Sequence, residues 1–220
     1  MYLPAHFEET RIDVLHALIH SHPLGTLITL DAGGALQANP IPFLVEPGPL
    51  AQGTLRGHVS RANPLWRETR GDLDALVVFQ GAQSYISPGW YPAKAEHGKV
   101  VPTWNYVVVQ ARGRLRAIDD EAWVRALVAR LTDRFEASRR TPWAVTDAPA
   151  DYLATMLRAI VGIEIELGSL VGKWKVSQNR SAADREGVAA GLAALATQGN
   201  DAQATAMASE VTAWPAGSPP

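Results

Sequence analysis

Gly81–Arg116 reads GAQSYISPGWYPAKAEHGKVVPTWNYVVVQARGRLR, and the rest of the chain is organised around it. Its second half opens a long strand, Thr103 to Ile118, with a kink expected at Gly113. Its first half is a connection of unusual composition. Tyr85, Trp90, Tyr91, Trp104 and Tyr106 are five of the chain's sixteen aromatics, so flat surfaces are concentrated here. Ser87, Lys94, Lys99, Thr103 and Asn105 add hydrogen-bond donors and positive charge. Aromatic faces stack while amides and ammonium groups orient, so the mixture suits a flat, partly polar, anionic ligand. Pro88, Pro92 and Pro102 fix backbone angles and lower the entropy cost of one loop shape. The same composition also suits a proline-rich connection whose aromatics plug the end of a sheet, and composition leaves both readings open.

Strands recur on either side. Gly25 to Leu30 is apolar and β-branched, Asp31 to Gly34 (DAGG) is a turn, and Leu36 to Val45 is its antiparallel partner. Pro40 and Pro42 cannot donate to a ladder, which places that partner at an edge or makes it bulged. Thr54 to Val59 and Ala75 to Gln80 follow as strands, with Gln83 to Ser87 set to pair with the latter. Ile163, Ile165 and Leu167 alternate with Glu164 and Glu166, the pattern of a strand with one wet face. Helices interrupt these strands rather than alternating with them. They cover Thr10 to His22, with Thr10 and Asp13 resembling a capping box, then Pro64 to Arg70 and Asp119 to Ser138, the longest. Two more cover Ala150 to Ala159 and Ser181 to Thr197. Six or seven strands at hairpin spacing, interrupted in this way, make a mainly β, α+β fold: an antiparallel barrel with helices packed on it. Residues 1–197 form one domain with helical additions, and 198–220 is expected to be a flexible C-terminal tail, small and polar.

Bulk composition narrows the function. Twenty basic against twenty-two acidic residues give a net charge of −2, so nothing in the charge supports DNA contact. The absence of cysteine excludes disulfides, thiolate metal sites and cysteine nucleophiles. MYLPAHFEET lacks a secretory n-region, and no window reaches the length of a membrane span, so a cytoplasmic protein is expected. His16 and His20 stand at a ligand spacing with no third ligand nearby, so no metal is expected. No GxGxxG opens a helix and no GxSxG elbow occurs.

Two basic segments carry candidate chemistry. Arg56, His58, Ser60, Arg61 and Asn63 stand where a strand meets a helix, with Asn63 as N-cap and Pro64 as the first helical residue. Free N–H groups and an arginine fork there fit a phosphate, as they fit an ordinary capped turn. Gly172 to Arg180 (GKWKVSQNR) holds Lys173, Lys175 and Arg180 with Trp174 among them and no acid. It suits a phosphorylated flat ligand or a solvated strand end.

The segments HPLGTLIT, ANPIPFLV, LRGHVSRANP, SYISPGWYPAK, VVPTWNY and GKWKVSQNR, in this order, resemble the PaiB-like family of FMN-binding negative transcriptional regulators. The resemblance spans Met1 to about Leu195. It implies an FMN-binding split β-barrel, FMN as cofactor and a homodimer with flavin between subunits. Carried over by position, Ile41, Pro42, Phe43 and Leu44 lie along the ring and polyol. Ser60, Arg61 and His58 hold the phosphate beside Asn63. Thr103, Trp104 and Asn105, with Trp174 and Arg180 from a second subunit, close the pocket. Asn63-Pro64 stands where a second basic ligand is expected, and Lys173 is the candidate to compensate. The resemblance implies a flavin-linked regulator. The alternative is an FMN-dependent oxidoreductase or flavin reductase acting on a small molecule, with any regulatory effect indirect.

Overall fold

The computed structural model describes residues 1–214. In chain order the elements are β1 (Glu8–Glu9), α1 (Ile12–Ser21), β2 (Leu24–Leu30), β3 (Leu36–Pro42), β4 (Leu44–Glu46), β5 (Thr54–Ser60), α2 (Leu65–Glu68) and β6 (Ala75–Ile86). There follow α3 (Ala93–His97), β7 (Thr103–Ile118), α4 (Glu121–Glu136), α5 (Ala150–Arg158), β8 (Ile160–Lys175), α6 (Ala182–Gly199) and α7 (Ala202–Ala213). The sheet runs β3-β2-β6-β7-β8-β5-β4, with β1 added to β8. It is not closed. The expected barrel is therefore an open path whose terminal strands are β3 and β4, and Pro40 and Pro42 lie on an edge as their missing donors require.

Contacts divide the chain into two compact units. One collects His16–Phe79 and Gln110–Leu170. Its core joins Leu44 to Leu127 and Leu131 of α4, with Trp123 against them, and sets Phe43 edge-on to Phe79 at 6.1 Å. Gly57 suits a close approach here: a Cβ would meet the Ile41 side chain and the Pro42 carbonyl at 3.0 Å each, so a larger residue would have to push the end of β3 aside by a few tenths of an ångström. Glu164 points into this unit rather than to water. It is 5% exposed and accepts from Arg56 (2.7 Å) and Arg116 (2.5 Å). Alternation along β8 holds at Glu166, which is exposed, whereas Glu164 on the same face is covered by its two arginines.

The other unit collects Met1–Leu15, Gln80–Val109 and the chain from Val171 onward. Here α6 passes over Trp90, and Gly187 and Gly191 make the approach possible: a Cβ at Gly191 would run into the Trp90 ring. The stretch expected as a loose tail contains α7, which packs with α6 and buries Ala204, Met207 and Val211. Asp201 caps it by accepting from the Gln203 and Ala204 N–H groups. Small residues read as polar tail because they carry little apolar area, yet alanine is the best helix former and lets two helices close up. Residues 215–220 of that expected tail lie outside the described residues.

Further differences are local. Ala75 to Ile86 is one strand, β6, not two paired ones. Asp120, not Asp119, caps α4 by accepting from the Trp123 N–H. At 18 residues α6 is longer than α4 at 16. The helix after Asn63 has four residues, too few for a sizeable dipole.

Candidate flavin cleft

Between β3 and β5, roofed by α5, lies a cleft of about 580 Å³. The size falls within the roughly 300–1,000 Å³ typical of cofactor and small-molecule sites. Asn39, Pro40, Ile41 and Pro42 of β3 form one wall, and His58, Val59 and Ser60 of β5 form another. Leu153, Met156 and Leu157, one stripe of α5, close it with Val128 of α4 and Ile160 of β8. No side chain with a fixed charge lines it. A flat aromatic ring system gains from such walls, while its polar edge is served by four groups only: Asn39, His58, Ser60 and Asn63. The Asn63 amide donates to Asn39 Oδ1 at 2.9 Å, and its own oxygen accepts from the Leu65 N–H. A second recess of about 460 Å³ shares Asn39, Ser60 and Asn63 with the first.

His58 is half-buried, and its Nδ1 has no hydrogen-bond partner in the chain. Burial pushes its imidazole below the usual range, so the ring is neutral near pH 7. Nδ1 is closed off from solvent and is one of several buried polar atoms without a partner among the described residues. Cleft volume, uncharged walls and a small set of donors at one end together fit a phosphorylated isoalloxazine.

Of the residues singled out in the sequence, Ile41, Pro42, His58, Ser60 and Asn63 are brought together around this cleft. Phe43 and Leu44 are not: at 1% and 5% exposure they belong to the core behind it. Arg61 stands in the turn at the mouth, but its guanidinium points elsewhere. Nη1 and Nη2 form a two-pronged pair with Asp119 at 2.8 and 2.5 Å, and Nε donates to the Arg158 carbonyl at 2.6 Å.

The remaining candidates lie in the other unit, where most of their donors are engaged. Asn105 is 1% exposed and donates to Ser177 Oγ at 2.9 Å. Ser177 itself holds φ at 66°, a left-handed conformation that strains a non-glycine residue. Lys173 is buried and donates to the Tyr2 carbonyl at 3.1 Å. Trp174 is 4% exposed, and its indole N–H donates to Glu210 of α7 at 3.0 Å. Lys175 donates to both Thr103 Oγ1 and the Trp104 carbonyl. Burial, then Lys173 and Arg180, pull its ammonium below the ordinary range. The Arg180 guanidinium lies 5.0 Å from the Tyr91 ring. Trp104 stands out, 53% exposed and edge-on to Tyr85 at 6.3 Å.

Sequence reasoning missed Asn39 and the whole α5 wall. Asn39 lay one residue before the proline that drew attention to β3. Leu153, Met156 and Leu157 repeat at helical spacing, a signal shared by every core-facing helix.

An open antiparallel sheet with helices on it and an uncharged cleft at the gap between β3 and β5 is the fold of the split-barrel flavoproteins. The flavocytochrome Anf3 of Azotobacter vinelandii shares it, with a TM-score of 0.55 at 16% identity over 76% of this chain and 69% of that one. Residues 1–169 match the family described as "Putative FMN-binding domain", and the chain belongs to that family; its cofactor is FMN. An uncharacterised protein of Emericella nidulans is 34% identical over 90% of this chain and 92% of its own length. The protease synthase and sporulation protein PAI 2 of Bacillus subtilis is 29% identical over 84% of this chain and 85% of its own. Among the described residues no helix is long and apolar enough to cross a membrane.

Proposed function

We propose that this chain is a flavin-linked regulator of the PaiB type, a homodimer that holds the FMN ring in the cleft between β3, β5 and α5. The observation that carries the cofactor placement is the cleft itself: uncharged, mostly apolar walls with the polar groups of Asn39, His58, Ser60 and Asn63 among them. Ile41 and Pro42 lie against the ring, and the neutral His58 offers one hydrogen bond at its edge. Ser60 and Asn63 receive the phosphate end, with Arg61 beside them. Of the candidates outside the cleft, the exposed Trp104 and the Arg180 guanidinium close the pocket from a second copy, while Asn105, Lys173 and Trp174 are buried and hold partners within their own chain. Bound FMN supplies reversible one- and two-electron transfer, so the chain itself needs no general base. What supports the regulatory role is the Bacillus relative, whose name ties it to protease synthesis and sporulation. With a net charge of −2 the chain has no overall surplus of basic residues, so charge lends no support to direct DNA contact.

A second reading, an FMN-dependent oxidoreductase, is favoured by the mouth of the cleft, where the exposed Ser60 and Met156 leave room for a small molecule to arrive. The visible spectrum of the purified protein, with identification of what denaturation releases, tests the shared part: FMN is expected, and a colourless protein that takes up none on titration refutes it. Promoter DNA should not be retarded even at low salt. Bleaching of the flavin band by a reduced nicotinamide would move the conclusion to the second reading.

A further inference from the structure

We propose that Asp119 sets how tightly FMN is held, by competing with the flavin phosphate for the guanidinium of Arg61. The inference rests on the placement of the phosphate at the Ser60–Asn63 turn. Arg61 is in that turn, and its neighbours Ser60 and Asn63 line the cleft. Yet its guanidinium is already engaged by four contacts within the chain. Two go to Asp119 at 2.8 and 2.5 Å, one to the Arg158 carbonyl at 2.6 Å and one to the Ile160 carbonyl at 3.3 Å. An arginine fork matches a carboxylate and a phosphate equally well, so a single residue cannot grip both with the same edge.

The arrangement is easily exchanged. Side-chain exposure is 35% for Arg61 and 52% for Asp119, so the pair is solvated and weak. A phosphate dianion outcompetes a carboxylate monoanion for a shared cation once the ring is seated in the cleft. Asp119 is not needed to cap α4, because Asp120 does so. The hold of Asp119 on the Arg61 fork lowers affinity for FMN while leaving the ring's contacts alone.

The Arg61 tie also reaches a cleft wall. Arg158 closes α5, whose carbonyl ends need donors, and α5 carries Leu153, Met156 and Leu157. The Arg61 backbone N–H donates to the Ala159 carbonyl at 2.8 Å as well.

The test is equilibrium dialysis of full-length protein against FMN and, separately, riboflavin, which has the ring and polyol without the phosphate. Asp119→Asn should bind FMN roughly two- to fivefold tighter, the range of a released surface ion pair, with riboflavin unchanged. Arg61→Ala should weaken FMN about ten- to a hundredfold, and adding Asp119→Asn to it should restore nothing. Unchanged or weaker FMN binding in Asp119→Asn, with Arg61→Ala still weakened, overturns the competition and leaves the phosphate seat standing. Equal tightening toward riboflavin also overturns it. Unchanged FMN binding in Arg61→Ala overturns both the competition and the role of Arg61 at the phosphate. A thermal melt of each variant separates a binding effect from a folding one.

Discussion

The cleft beside β3 and β5 and the GKWKVSQNR strand end carry similar advertisements in sequence: basic or amide side chains with an aromatic nearby. In the structure they differ by what those groups already hold. At the strand end Lys173, Trp174 and Lys175 each donate to a partner within the chain, as does Asn105 from β7. At the cleft no fixed charge is tied up in the walls, and Ser60 is exposed at the mouth. Side-chain type tells what a residue can bind. The inventory of partners tells whether the chain has already used it, and the two regions separate only on the second count.

That contrast can be broken at several points. The largest effect is expected at Trp174. Replacing it with Ala removes a buried ring and the hydrogen bond to Glu210, and unfolding by urea should show a loss of about 3–5 kcal/mol. A loss below about 1 kcal/mol would return Trp174 to the groups available to a ligand. Glu164 comes next. Burial raises its carboxyl, but the hydrogen bonds from Arg56 and Arg116 outweigh burial and hold it below its ordinary value near 4.5. A carboxyl lowered on folding contributes stability that is complete above the unfolded value and fades as pH falls through the folded one. Melting temperature should therefore decline below about pH 4.5, and Glu164→Gln should flatten that part of the curve. A profile identical to that of the parent would remove the network from the acid response.

The smallest stability effect belongs to Trp104. It is 53% exposed and touches Tyr85 edge-on, so Trp104→Ala should change stability by no more than about 0.5 kcal/mol. Its effect on FMN affinity is the informative quantity. A clear weakening at unchanged stability would make Trp104 the one aromatic of that unit kept for the ligand, and an unchanged affinity would leave it a surface ring.

How far the sequence spoke depends on which force shaped each part. Strand β7 was legible to its end residues, because Thr103 to Ile118 is bounded by a proline before it and an acidic pair after it. The β2–β3 hairpin was legible from DAGG. Continuity of β6 was not: Ala75 to Gln80 and Gln83 to Ser87 read as separate strands, where one strand runs through Gly81 and Ala82. The packing of α7 was hidden because alanine carries a helix signal without an apolar one. For the cleft, His58, Ser60 and Asn63 were legible from the turn chemistry around them, and Ile41 and Pro42 only through the family resemblance. Leu153 and Met156 were not, since a ligand-facing stripe and a core-facing stripe have the same period. The direction of Lys173 and Trp174 was equally hidden, because strand alternation separates two faces and does not say which one meets α7.

Every role proposed for the site depends on the cleft being the seat of FMN, and filling it is the most direct trial. Met156 lines the cleft from α5 and is 41% exposed, so Met156→Trp adds bulk there without entering the core. FMN affinity of that variant, measured by equilibrium dialysis beside a thermal melt, should fall at least about tenfold, the loss of a ring's apolar contacts, while the melting temperature stays close to that of the parent. Equal affinity in the two proteins would place the flavin elsewhere and contradict the proposed seat.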